Sequence, residues 1–116
     1  MSALTVSFAC HLAFRFRELL PVLAEHIQDN SGEILPHILM YDYCRFVCGG
    51  PDGEHKWQRE LLGYLENNFS ESDDEISNLI AVSFIENIPD PLTSRHWSVQ
   101  LLGEKMAEQY SAIYGT

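Results

Sequence analysis

A chain of 116 residues with 46% apolar and 21% charged side chains is long enough for one core, and by size scaling it buries roughly 65% of the surface it exposes when unfolded. That composition excludes a wholly disordered chain, and residues 1–116 read as a single domain. Seventeen acids against seven bases give a formal charge of −10, which repels nucleic-acid phosphates and anionic lipid headgroups and makes a basic protein the natural partner.

Three cysteines cannot all pair within the chain, and Cys44 and Cys48 lie one helical turn apart, so free thiols in a reducing cytoplasm are expected. The opening segment has no basic region before its apolar run, and Arg15 and Arg17 interrupt that run, which argues against a signal segment or a membrane span.

Residues 4–30 begin ambiguously. Leu4, Val6, Phe8, Cys10, Leu12, Phe14 and Phe16 alternate as a strand would, whereas Leu12, Phe16, Leu19, Leu20, Leu23 and Ile27 line a helical face. Nothing else in the chain offers a strand to pair with, so the spacing favours a helix from about Phe8, with the strand at 4–14 left open. Pro21 is expected to kink this helix or to open a second one.

Asp29-Asn30-Ser31-Gly32 is a stop, with Gly32 suited to a left-handed backbone. Pro36 fits the start of a helix running to about Cys48, which Gly49-Gly50-Pro51-Asp52-Gly53 breaks. On its wheel His37, Tyr41, Cys44 and Cys48 form a stripe joined by Leu39, Met40, Phe46 and Val47, opposite Ile38, Asp42 and Arg45.

From about Glu54 to Phe69 the pattern is plainly amphipathic. Trp57, Leu61, Leu62, Tyr64, Leu65 and Phe69 are expected inside, with Lys56, Arg59, Glu60, Glu66 and Asn67 outside. Asp73 or Ser72 then caps a helix over about 74–88, which is apolar almost all round and therefore central. A last helix over about 94–114 is expected to bury Val99, Leu102, Met106, Tyr110 and Ile113 and to turn Trp97 and Leu101 outward. The predicted fold is all-α: a compact bundle of five to six antiparallel helices, arranged as stacked helical pairs.

From Glu60 to Ser94 the chain carries eight acidic residues and not one Lys or Arg. Capping explains part of the knuckle Glu71-Ser72-Asp73-Asp74-Glu75, because negative charge complements exposed helix N-terminal amides. The missing compensation by bases goes further than solubility asks and marks a surface for a cationic partner. Glu66, Glu71, Asp73, Asp74 and Glu75 are its expected contacts, with Tyr64 and Trp97 as aromatic anchors.

Other chemistry is thin. His37, Cys44 and Cys48 share a helix with many apolar residues and supply too few ligands for structural zinc, so core packing is the expected role and no metal or cofactor is predicted. No nucleophile sits in a recognisable catalytic setting, no glycine-rich loop carries a phosphate-binding Lys, and the acidic knuckle lacks calcium-loop spacing. An enzyme with a small-molecule substrate is not expected.

Gly32-Glu33-Ile34-Leu35-Pro36-His37 and Ile80-Ala81-Val82-Ser83-Phe84-Ile85-Glu86-Asn87-Ile88-Pro89, at their separation here, resemble a family of small helical bacterial proteins of uncharacterised role. The whole profile also looks like the immunity proteins of contact-dependent growth inhibition and polymorphic toxins. What that resemblance implies is a cytoplasmic protein that binds and neutralises one cognate toxin domain, commonly a nuclease. It implies neither direct nucleic-acid nor membrane binding. A helical adaptor or regulatory subunit for another cellular protein is the alternative.

Overall fold

The first helix packs through its small residues. In the computed structural model, which describes residues 3–49, 55–70, 74–88 and 97–114, α1 runs over Ala3–Arg15 and buries Thr5, Ala9, Leu12 and Ala13. The strand-like alternation at 4–14 is therefore helical, and the helix begins ahead of Phe8. Leu4 and Phe14, which the alternation treats as core, stand 56% and 67% exposed. Ala9 and Ala13 take their place because short side chains let neighbouring backbones come close. The phenol of Tyr43 uses that proximity, donating to the Ala9 carbonyl at 2.9 Å.

The chain turns at Phe16, passes through a 3₁₀ turn over Arg17–Leu19 and enters α2, Leu20–Asp29. Pro21 opens this second helix, where its missing N–H costs nothing. At the far end Ser31 and Gly32 both have positive φ, and the Gly32 N–H returns 2.8 Å to the Ile27 carbonyl, closing the helix as the stop signal predicts.

Helix α3, Pro36–Cys48, buries Pro36, Leu39, Met40, Tyr43, Cys44, Val47 and Cys48. The buried stripe is rotated from the expected one: His37 and Tyr41 face out, and Phe46 is 49% exposed. His37 instead pairs through Nδ1 with the Ser83 hydroxyl, away from the two cysteines. Cys44 donates to the Phe84 carbonyl at 3.3 Å. Its pKa is pushed far above the ordinary thiol value, first by its hydrogen bond with Cys48 and then by burial.

Helix α4, Lys56–Asn68, starts from a reciprocal cap between His55 and Gln58. Gln58 is buried, and its amide donates to the Val47 carbonyl at 2.9 Å, tying the start of α4 to the end of α3. Leu61, Leu62, Leu65 and Phe69 are buried as expected, while Trp57 and Tyr64 are half-buried. Helix α5, Glu75–Ser83, lies against α1, α3 and α4, which makes it the central element, and it ends in a 3₁₀ turn over Ile85–Asn87.

The expected last helix is two pieces: a single turn, α6, over Trp97–Gln100, and α7 over Glu104–Tyr114. Leu101 to Gly103 separate them, and α7 buries Met106 and Tyr110 against the rest. The fold is all-helical, with no strand among the described residues and no helix there long and apolar enough to cross a membrane.

Candidate functional site

Two of the five acidic residues singled out by the sequence, Glu66 and Asp74, are engaged within the fold. Glu66 does not face outward as its wheel position suggests. It is half-buried, and its carboxylate accepts the N–H of Lys105 at 3.0 Å and that of Met106 at 2.9 Å. These are orphan amides of the first turn of α7, so a side chain of α4 caps a helix far along the chain. Gly103 makes room for it: a Cβ there would stand 2.4 Å from the Glu66 side chain.

Asp74 is equally engaged. Its carboxylate accepts the Ser77 N–H at 2.7 Å, the Ser70 hydroxyl at 2.8 Å and the Ser77 hydroxyl at 3.0 Å, capping α5 and fixing the end of the preceding turn. Glu75 is exposed in the first turn of α5, beside a shallow pocket that Leu35, Pro36 and Ile38 help to line. Glu71 and Asp73 lie outside the described residues.

The two aromatic residues expected as anchors are half-buried and pack against the core. The Tyr64 ring meets Phe16 edge-on at 5.7 Å, with the Arg15 guanidinium 5.8 Å from its centroid. Trp97 begins α6. Glu66 and Asp74 are thus bound up at separate helix ends, and the expected surface is reduced.

A different acidic site is assembled by α2 and α3. Val22, Glu25, His26 and Asp29 recur on α2 at helical spacing; Asp42, Arg45, Phe46 and Gly49 repeat that spacing on α3. Together they line a groove of about 590 Å³ between the two helices. Among the described residues, Glu25 and Asp29 have no ion-pair partner, and Arg45 directs its guanidinium over the Tyr41 ring, 5.6 Å from the centroid, with no ion pair to these carboxylates.

At the base of the groove His26 is only 2% exposed. Its Nε2 accepts the Leu35 N–H at 3.0 Å, which anchors the turn into α3 and places the ring proton on Nδ1. The nearest side-chain atom at Nδ1 in a hydrogen-bond contact is Asn30 Nδ2 at 3.4 Å, itself a donor whose orientation is set by its 2.8 Å bond to the His26 carbonyl. Two donors do not bond. Asp42 Oδ2 stands 3.8 Å from the same Nδ1.

Sequence reasoning placed Asp42 and Arg45 on the idle side of their helix and gave α2 no role. The signal was present as matching stripes at i, i+3, i+4 and i+7 in both helices. It becomes readable only once α2 and α3 are known to lie side by side.

The groove suits a basic group. Three carboxylates against one guanidinium give its walls a negative balance, and Phe46 offers a half-exposed ring. Among the described residues no group of three or more His, Cys, Asp or Glu could hold a metal ion.

The architecture is thus that of a small all-helical domain presenting an acidic groove. The chain belongs to the family described as a domain of unknown function, DUF7674, whose model matches residues 9–115. No curated protein and no solved structure matches it.

Proposed function

We propose that this chain is a binding protein of the immunity type, which associates in the cytoplasm with one cognate cationic toxin domain and neutralises it. The observation that supports this reading is the α2–α3 groove, where Glu25 and Asp29, without an ion-pair partner among the described residues, line one concavity with Asp42, which faces His26 at 3.8 Å. Burying such charges against a positive surface steers association, and like-charged ligands are repelled. A nuclease fits best on the far side, because a cleft that holds phosphates is lined with Lys and Arg. Carboxylates docked there exclude the nucleic acid by occupying the same positive field.

The adaptor reading is favoured by another observation. Ile38 and Val82 stand 50% and 51% exposed on neighbouring helices, as an apolar contact with a cellular protein would use them.

Co-purification with the product of the adjacent upstream gene, followed by nuclease assays with and without this protein, tests the immunity reading. A stable complex with suppressed nuclease activity is expected. A complex without loss of activity, or no toxin gene at that position, turns the assignment to the adaptor.

A further inference from the structure

We propose that the patch where the end of α1 meets α4 binds the carboxylate of an acidic side chain on a protein partner, held by the Arg15 guanidinium with His11 and the Tyr64 hydroxyl beside it. This goes beyond the immunity reading and does not depend on it.

The first observation is an imbalance. Acids outnumber bases seventeen to seven in this chain, so a surface cation has carboxylates to choose from. Lys56 takes that course and pairs with Glu60 at 3.6 Å. Arg15 and Arg17 do not: both are exposed, and neither has an ion-pair or hydrogen-bond partner among the described residues.

The second is how Arg15 is held. Its guanidinium lies 4.9 Å from the centroid of the Phe16 ring and 5.8 Å from that of Tyr64. Phe16 is only 3% exposed and meets Tyr64 edge-on, so the cation rests on a fixed part of the core. A guanidinium seated against rings keeps its N–H edge free. That edge is a planar fork, the shape that takes a carboxylate through two parallel hydrogen bonds.

The third is the polar rim around that fork. Tyr64 is half-buried, yet its hydroxyl has no hydrogen-bond partner among the described residues. His11, one turn before Arg15 on α1, lies 6.1 Å from the same ring, and its imidazole is likewise without a hydrogen-bond partner there. Each of these three side chains can donate a hydrogen bond and none carries negative charge, which selects an anion.

A single protein carboxylate fits better than a polyanion. The net charge of −10 repels phosphate backbones and anionic lipid headgroups, and that repulsion grows with the charge of the ligand. Phe14, a neighbour of His11 on the helix surface, is 67% exposed and offers apolar contact to a residue flanking the carboxylate, which an inorganic anion does not have.

The test is an amide-resolved NMR titration of the full chain at low salt with acetyl-Leu-Glu-Leu-amide, taken to millimolar concentration. The same peptide with Gln in place of Glu, inorganic phosphate and a short DNA duplex are titrated beside it. The Glu peptide should give saturable shifts confined to residues 8–17 and 61–68, and the Gln peptide none. Arg15→Gln should weaken the Glu peptide about tenfold, the scale of one charge-assisted contact. Arg15→Lys should weaken it several-fold, because an ammonium keeps the charge and loses the fork. Tyr64→Phe, which keeps the ring under Arg15, should also weaken it several-fold. Lys56→Gln, which alters a cation already paired on α4, should change nothing. Arg15 is exposed, so its variants should unfold at the native urea midpoint and report on binding alone.

Equal binding of the Gln peptide, shifts scattered over the whole surface, or indifference to Arg15→Gln would overturn the proposal. So would phosphate or the DNA duplex shifting the same residues at a lower concentration than the Glu peptide, since the patch would then serve phosphates.

Discussion

Two acidic regions of this molecule use their carboxylates in different ways. Around the α4–α5 turn, Asp74 is spent on the first turn of α5 and nearby Glu66 on that of α7, each with its oxygens occupied by N–H or O–H donors. Along the α2–α3 groove, Glu25 and Asp29 have no such donors among the described residues, and Asp42 faces only the distant Nδ1–H of His26. Charge density in the sequence is highest at the first region, yet two of its carboxylates are already bonded, whereas Glu25 and Asp29 in the second are exposed. A carboxylate already accepting several hydrogen bonds has little left to offer another cation, whereas a solvated one can exchange water for a guanidinium.

Substitutions can break this contrast, and the largest effect is expected at the base of the groove. His26→Phe keeps the ring's bulk but leaves the Leu35 N–H without its acceptor, and should lower unfolding free energy by about 2 kcal/mol, read from the urea midpoint. Next is Glu66→Ala, which strips two amides of their cap and should cost about 1–2 kcal/mol by the same measurement. A loss below about 0.5 kcal/mol, the range of ordinary surface changes, would return Glu66 to the surface role its wheel position suggests.

Asp74→Ala should cost about 1 kcal/mol, whereas Asp74→Asn, still an acceptor for the Ser77 N–H, should cost much less. Smallest of all are Glu25→Gln and Asp29→Asn, expected within about 0.5 kcal/mol of the native chain. A marked destabilisation there would make the groove carboxylates structural and erase the distinction between the two regions.

Much of the fold was legible. Pro36 and the Asn30-Ser31-Gly32 stop each act through local backbone chemistry, and the elements they delimit stand close to where the spacing puts them, whereas the cap of α5 is Asp74 and not the expected Asp73 or Ser72. The first helix was harder. Beside Leu12, its core face is made of Thr5, Ala9 and Ala13, which weigh little on a hydrophobicity pattern, while the larger Leu4 and Phe14 point to solvent. The break at 101–103 and the buried Gln58 were illegible for a related reason: each depends on a contact with another helix.

The site was less legible than the fold. A run of acids in sequence says nothing about which oxygens are already bonded, and the groove's residues belong to two helices whose facing stripes are ordinary taken singly. Only the packing of α2 on α3 turns Glu25, Asp29 and Asp42 into neighbours.

The capping of α7 by Glu66 ties the start of the last helix to α4. The first turn of the segment from Glu104 to Tyr114 finds its acceptor on α4. A chain in which Ser replaces Gly103 and Ala replaces Glu66 would carry its cap locally, so the last helix would no longer depend on α4 for its cap. In the native chain that independence is absent, and the amides of Lys105 and Met106 should exchange with solvent more slowly than in Glu66→Ala.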